Sequence, residues 1–392
     1  MRLLLVTPFP PCRSAAHGGG AYLASLVDGL ARRAELGLVS LTLHAGQPAA
    51  PAVPWAWLGL AAREDRPDGV ARPSDRVRML WRWRRSPLVA AKHASRRLEV
   101  LVRQAVTEWR PDAALVEMAQ MAQYLPALRG VPTVFTDHEA GCPANTHTGL
   151  GRLGDARDRR LWHRYVQRFY SQADVLQALT AEDASSLSSQ LARPVLVRPP
   201  TVVVPAEPVH PELAPGRALF LGDYQHAPNP EAAARLAHEV VPLVRRQQPD
   251  FVLRLAGAHS ERVRALGELP GVEVVGFVPD LHALLASVRF VLSPVYSGDG
   301  VRMKNLVALA HGVPVVTNRL GARGNEAPPL ACRLAETAPE LAQQCLRLLC
   351  DPATAGTAGR SAHVWAKQHL DADAVAAHQL ERITELLAQR RG

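Results

Sequence analysis

Short apolar runs alternate with longer amphipathic stretches along the whole chain. Arg2–Thr7 is strand-like, and Gly20–Arg33 repeats Leu23, Leu26, Val27 and Leu30 at helical spacing. Leu36–Leu43 predicts a second strand and Val53–Leu60 a third. A helical stretch over Arg72–Trp109 follows, broken near Pro87. Ala113–Glu117, Thr133–Thr136 and Val175–Leu179 read as strands, and Met118–Arg129, Asp155–Gln172 and Ala181–Leu191 as helices. A second alternation begins with a strand at Ala218–Leu221 and a helix at Pro230–Arg246. It continues with strands at Phe251–Ala256 and Val272–Val275, a helix at Leu281–Ala286 and strands at Phe290–Leu292 and Val313–Thr317. Helices at Pro339–Leu349 and Ala374–Gln389 close the chain. Strands alternating with helices predict α/β folding, with parallel sheets covered on both faces.

Residues 194–217 interrupt this pattern with prolines, which predicts an edge strand and then a linker. The expected organisation is a first domain at 1–200, a linker at 201–217, a second domain at 218–370 and a terminal helix at 371–392, packing back on the first domain. Two similar parallel-sheet domains joined by a linker imply a ligand cleft where they face each other.

Composition narrows the class. At 392 residues, 47% apolar and 21% charged, the chain is an ordinary globular sequence. No run reaches the roughly 18 apolar residues of a membrane span. The apolar start MRLLLVTPFPP lacks a small-residue cleavage site and reads as a buried first strand, so a cytoplasmic protein is expected. Five scattered cysteines without metal or redox spacing are expected to be free thiols. The histidines are dispersed, and no metal site or Gly-x-Ser-x-Gly elbow is expected. The net charge of +9 is uneven: residues 60–110 hold 13 Arg or Lys against 6 Asp or Glu. Trp81 and Trp83 stand among these arginines. An anionic membrane surface at 72–104, a nucleic-acid backbone and a solvated helix with inward tryptophans all fit. No nucleic-acid recognition motif supports the second.

Three segments are candidates for chemistry. Ser293–Gly324 reads as strand end, glycine loop, helix, strand and glycine loop. Gly298 and Gly300 let backbone approach a ligand closely. Arg302 and Lys304 stand at the following helix start, where free N–H groups already favour an anion. With the N–H groups of Gly300 and Val301 they suit a diphosphate, and Asp299 suits sugar hydroxyls. Gly18, Gly19 and Gly20 offer bare N–H groups at the first helix start. This is neither the dinucleotide fingerprint nor a Walker loop, and a plain surface loop fits as well. Asp137, His138 and Glu139 end a strand, where open α/β sheets bind ligands. They suit hydroxyl positioning or proton movement, and equally a polar loop.

Together these segments resemble a glycosyltransferase of the GT-B fold, most like glycosyltransferase family 4 (glycosyl transferases group 1). The similarity runs through most of the chain and is strongest over 218–321. The resemblance implies two Rossmann-like domains and transfer of a sugar from a nucleoside-diphosphate-sugar to a hydroxyl acceptor, glycan, lipid-linked or small. It further implies retained configuration and no metal or cofactor. Gly19 and Gly20 would lie on the donor phosphate, with Gly298, Gly300, Val301, Arg302 and Lys304. His138 and Asp299 would be catalytic. Gly222, Gly276, Phe277, Val278 and Val307 would flank the nucleotide. This chain departs from the family at Val307, where a ribose-binding Glu is usual, and has Asp299 in place of the paired Glu. Its 222–229 segment carries Asp223 and His226 where the family has Arg and Lys. A non-catalytic sugar-nucleotide- or partner-binding protein and a sugar-nucleotide epimerase on the same scaffold are the alternatives.

Overall fold

A computed structural model describes residues 1–12, 18–42, 53–64, 73–141, 148–149, 151–298 and 300–391. The chain divides into two compact units. One comprises Met1–Ala15, Gly19–Pro200 and Val375–Gly392, and the other Thr201–Ala374.

The first unit is built on seven strands: β1 (Arg2–Thr7), β2 (Glu35–Thr42), β3 (Trp57–Ala62), β4 (Ala113–Glu117), β5 (Thr133–Asp137), β6 (Val175–Ala178) and β7 (Leu196–Val197). They pair in the order β3-β2-β1-β4-β5-β6-β7. Every pairing is parallel. Parallel strands are covered on both faces, so their sequences read as near-continuous apolar runs. Side chains of β1 alternate between two cores. Leu4 and Val6 join Val39, Val102, Phe135 and Trp162 on one face. Leu3 and Leu5 join Leu26, Val27 and Leu30 of α1 (Gly18–Ala31) on the other.

Local chemistry moved several expected boundaries. Strand β3 starts four residues later than expected, after Pro54, which has no N–H to give a ladder. The long 72–109 helix is three α-helices, α2 (Pro73–Trp83), α3 (Leu88–Lys92) and α4 (Arg96–Gln104), the last continued by a π-helical segment over Ala105–Trp109. Pro87 precedes α3, and the Ser95 hydroxyl caps α4 by accepting from Leu98 N at 3.3 Å. The expected 118–129 α-helix is a 3₁₀ run over Ala119–Leu128 containing Pro126. Helices α5 (Gly151–Phe169) and α6 (Ala181–Leu191) complete this part of the unit.

The second unit carries β8 (Arg217–Leu221), α7 (Pro228–Arg235), α8 (Val241–Arg245), β9 (Val252–Ala256), β10 (Val272–Gly276), α9 (Leu281–Ala286) and β11 (Phe290–Leu292). Then come α10 (Met303–Ala310), β12 (Val315–Thr317), β13 (Cys332–Leu334), α11 (Ala338–Cys350) and α12 (Pro352–His369). Its strand order is β10-β9-β8-β11-β12-β13, again all parallel. The stretch 201–217, expected as a linker, is stitched into this unit. Val202 N donates to Leu370 O at 3.0 Å, and Val209 N donates to His311 O at 2.8 Å. Gly312, at φ +82°, leaves room for Pro208, which a Cβ there would meet at 2.6 Å. Helix α13 (Ala372–Arg391) places Ala376, Ile383 and Leu386 in the β1 core of the first unit.

Candidate functional site

In the second unit the candidate residues gather at the carboxyl ends of β8, β9 and β11. Three glycine-dependent close approaches shape this end. Gly222 N donates to Ala256 O at 3.0 Å, and Gly257 N donates to Gly276 O at 2.8 Å. A Cβ on Gly257, at φ +135°, would lie 1.9 Å from Gly222 O, so only glycine fits. Gly298 and Gly300 have φ of +95° and +82°. Asp299 lies outside the described residues.

Lys304, on the first turn of α10, reaches back to the end of β8. Its Nζ donates to Asn229 Oδ1 at 3.0 Å and stands 4.1 Å from the centre of the Phe220 ring. The residue keeps some exposed surface, but its ammonium end is enclosed by these two neighbours. Burial, reinforced by the nearby Arg302 charge, pulls its pKa down to about 7. Asn229 in turn donates from Nδ2 to Asp223 O at 2.8 Å. Arg302 precedes α10, and its Nη2 donates to Gly298 O at 2.6 Å. These contacts bring Gly298, Arg302 and Lys304 into one cationic group with bare backbone beside it. Asp223 Oδ1 lies 2.7 Å from His259 Nδ1, a half-exposed pair at the same strand ends.

The other residues expected in this unit sit as follows. Gly276 ends β10 at φ +86°, and Phe277 beside it is 74% exposed. Val278 and Val307 are part-buried against the core that contains Val291 and Leu309. Val301 packs with Val202 and Leu306.

In the first unit Gly19 and Gly20 lie in the opening turn of α1, where Cys12 N donates to Gly20 O at 3.4 Å. His138 follows β5. Its Nε2 is 3.0 Å from Glu117 Oε2, at the end of β4. Arg198, just past β7, donates from Nη2 to both Glu117 oxygens at 3.0 and 2.7 Å. Tyr22 of α1 completes the group. Its ring meets His138 edge-on with centroids 5.1 Å apart, and the Arg198 guanidinium lies 5.6 Å from it. Glu117 and Arg198 are buried, at 0% and 2% exposure. Burial by itself would raise the Glu117 pKa, but Arg198 and the His138 hydrogen bond outweigh it and hold the carboxyl below its ordinary value. An ionised Glu117 accepts only, so Nε2 of His138 donates to it and the ring is held in place with Nδ1 turned away from the carboxylate.

Asp137, by contrast, serves the fold. It is fully buried, accepts from the Tyr170 hydroxyl at 2.7 Å and from Glu139 N at 2.9 Å, and burial raises its pKa. Glu117, Arg198, Tyr22 and Asn229 were not singled out in the sequence. The one signal for Glu117 was a charge ending an apolar strand run; Arg198 stands similarly between Val197 and Pro199.

Residues 215–351 match the family model described as Glycosyl transferases group 1. No curated protein matches the whole sequence closely enough to count as a relative. Among solved structures, sucrose-phosphate synthase from Thermosynechococcus elongatus has a TM-score of 0.72 at 15% identity, over 99% of this chain and 100% of its own. Anabaena Alr3699/HepE, solved in complex with UDP and glucose, has a TM-score of 0.62 at 14% identity, over 97% and 99%. TarM of S. aureus has a TM-score of 0.55 at 12% identity; the match takes in 74% of this chain and spans only 59% of TarM. At these identities the likeness carries the fold: this chain has the two parallel-sheet α/β domains of the GT-B fold.

Proposed function

We propose that this chain, whose residues 215–351 are a group 1 glycosyltransferase domain, moves a sugar from a nucleoside-diphosphate-sugar to a hydroxyl acceptor. The observation that carries the reading is the grouping of Lys304, Arg302 and Gly298 at the strand ends of the second unit. Two cations and bare backbone at a helix start form a set that stabilises a departing diphosphate. His138, fixed by Glu117, offers its other ring nitrogen as a hydrogen-bond partner for a sugar hydroxyl. Retention, metal independence and a glycan, lipid-linked or small acceptor are taken from the family resemblance.

A thermal-shift series with nucleoside diphosphates tests the binding half. A ligand specific to the native state raises Tm, and Lys304→Ala and Arg302→Ala each reduce that rise. If both variants keep the full rise, the diphosphate assignment is wrong. Turnover with a donor and acceptor panel tests the chemical half. The apolar setting of Val307 favours a second reading, a donor-binding protein without transfer; binding with no nucleotide release supports it.

A further inference from the structure

The basic segment around Trp81 is not used by the reading above, and the fold sorts its residues sharply. Along α2, Met79 and Trp83 point to a small core with Leu88, Ala91 and Leu161. Trp83 Nε1 donates to Asp158 Oδ1 at 2.7 Å, so the tryptophan is an anchor between α2 and α5. At 3.6 residues per turn, the opposite face carries Val77, Leu80 and Trp81, the i, i+3, i+4 pattern of one stripe. All three are exposed, at 67%, 45% and 60%.

Charge is sorted the same way. The acidic groups of α2 and the start of α5 are engaged internally. Asp75 is buried and pairs with Arg78 at 3.7 Å, Asp155 accepts from Thr148 N at 2.7 Å, and Asp158 accepts from Trp83 and Leu88 N. Arg82 is taken up by Glu64 at 2.6 Å, but the other basic groups described here point outward: Arg78, Arg84, Arg85, Arg152 and Arg157 are all exposed. Arg85 lies 5.6 Å from the Trp81 ring and Arg157 lies 4.8 Å from the Trp83 ring, so the cations border the aromatic rings. Leu153, 88% exposed, adds an apolar tip beside Arg152.

We propose that the outward face of α2, with the start of α5, docks on an anionic lipid bilayer. An exposed stripe of Val, Leu and Trp flanked by arginines complements a surface that is apolar inside and negatively charged at its headgroups. A nucleic acid would satisfy the arginines but would leave Val77, Leu80 and Leu153 against water or phosphate. The lipid is the occupant that both halves of the patch fit. The inference does not depend on glycosyl transfer, because vesicle binding needs no donor sugar.

Sedimentation with vesicles of phosphatidylcholine and phosphatidylglycerol in equal parts is the test. The protein is expected to bind them at low salt and not to bind pure phosphatidylcholine vesicles. Each arginine near an anionic surface is worth roughly fivefold in affinity, so combined Arg78→Gln, Arg84→Gln and Arg85→Gln weaken binding by roughly 100-fold. Combined Val77→Ser, Leu80→Ser and Trp81→Ser also release the protein, with circular dichroism and the ligand-free Tm unchanged as proof of folding. Brominated lipid quenches tryptophan emission in the native protein, and Trp81→Phe removes most of that quenching. Equal vesicle binding by the serine variant, binding indifferent to lipid charge, or preference for a DNA or RNA duplex over vesicles overturns the proposal.

Discussion

Two residues, Lys304 and Glu117, hold the most telling electrostatics. Lys304 is charged in the unfolded chain up to a pKa near 10.5 but only to about 7 in the folded one. Its burial therefore costs stability in full below pH 7, and the cost fades as pH rises above that. A diphosphate reverses the preference, because it stabilises the ammonium. Binding is expected to take up close to one proton in mildly alkaline buffer and to weaken as pH rises through about 7. Calorimetry in two buffers of different ionisation heat reads the proton directly. Lys304→Met should abolish the uptake; uptake unchanged in that variant rejects the role.

Glu117 has the opposite sign. Its folded pKa lies below the ordinary value of about 4.5, so its contribution is complete above that pH and is lost as pH falls toward the depressed value. Arg198 depends on it for a counter-charge. Removing one partner of a buried ion pair costs roughly 3–5 kcal/mol, so Glu117→Leu is expected to lose stability on that scale in urea unfolding. The milder Glu117→Gln keeps a hydrogen bond to His138 but not the charge. It is expected to lower kcat more than it raises KM if His138 acts on the transferred sugar. A purely structural pair would lower apparent kcat only in proportion to the folded fraction and leave KM unchanged.

At the scale of elements, the strand ends of the second unit depend on backbone meeting backbone. A methyl on Gly257 would sit 1.9 Å from Gly222 O at a left-handed φ. Gly257→Ala is expected to cost more than about 3 kcal/mol, because the φ penalty alone is of order 1–3 kcal/mol and the clash adds to it. Gly130, at φ +93° with nothing within 4 Å, is the control, and its alanine variant should show the φ penalty alone. Melting curves of the two variants compare the effects. Similar losses would mean that β8 and β9 separate easily and do not define the site. The same scale explains why the 118–129 segment is not the α-helix its sequence predicts. Its apolar spacing suits a helix, but the Pro126 ring would clash with the carbonyl four residues back in an α-helix, and tighter 3₁₀ turns are found instead.

For the whole molecule, the terminal helix matters more than its sequence pattern suggests. Ile383 is fully buried among Leu3, Leu5 and Leu38 of the first unit. Gln379 Oε1 accepts from Gln177 Nε2 at 3.0 Å, and Arg382 Nη1 donates to Val197 O at 3.1 Å. The Ile383 packing joins positions almost at opposite ends of the chain, and the two hydrogen bonds span 202 and 185 positions. Ile383→Ala is expected to destabilise the first unit by about 2–5 kcal/mol. Amide exchange should show the loss in β1 and β2 while β8 and β9 keep their protection. Uniform loss in both units would contradict the division into two.

Most of the strand and helix order and the parallel class of both sheets were present in the linear pattern, while the short β13 and the alanine- and glycine-rich α12 were not. Buried strands read as apolar runs. Pairings between distant positions were not present there. Glu117, His138 and Arg198 lie on three different strand ends, and Lys304 meets Asn229 across 75 positions. Local propensity carries no information about which strand lies beside which. Only the packed sheet, by placing β4 between β1 and β5, decides which polar groups are buried together and so which charges must balance.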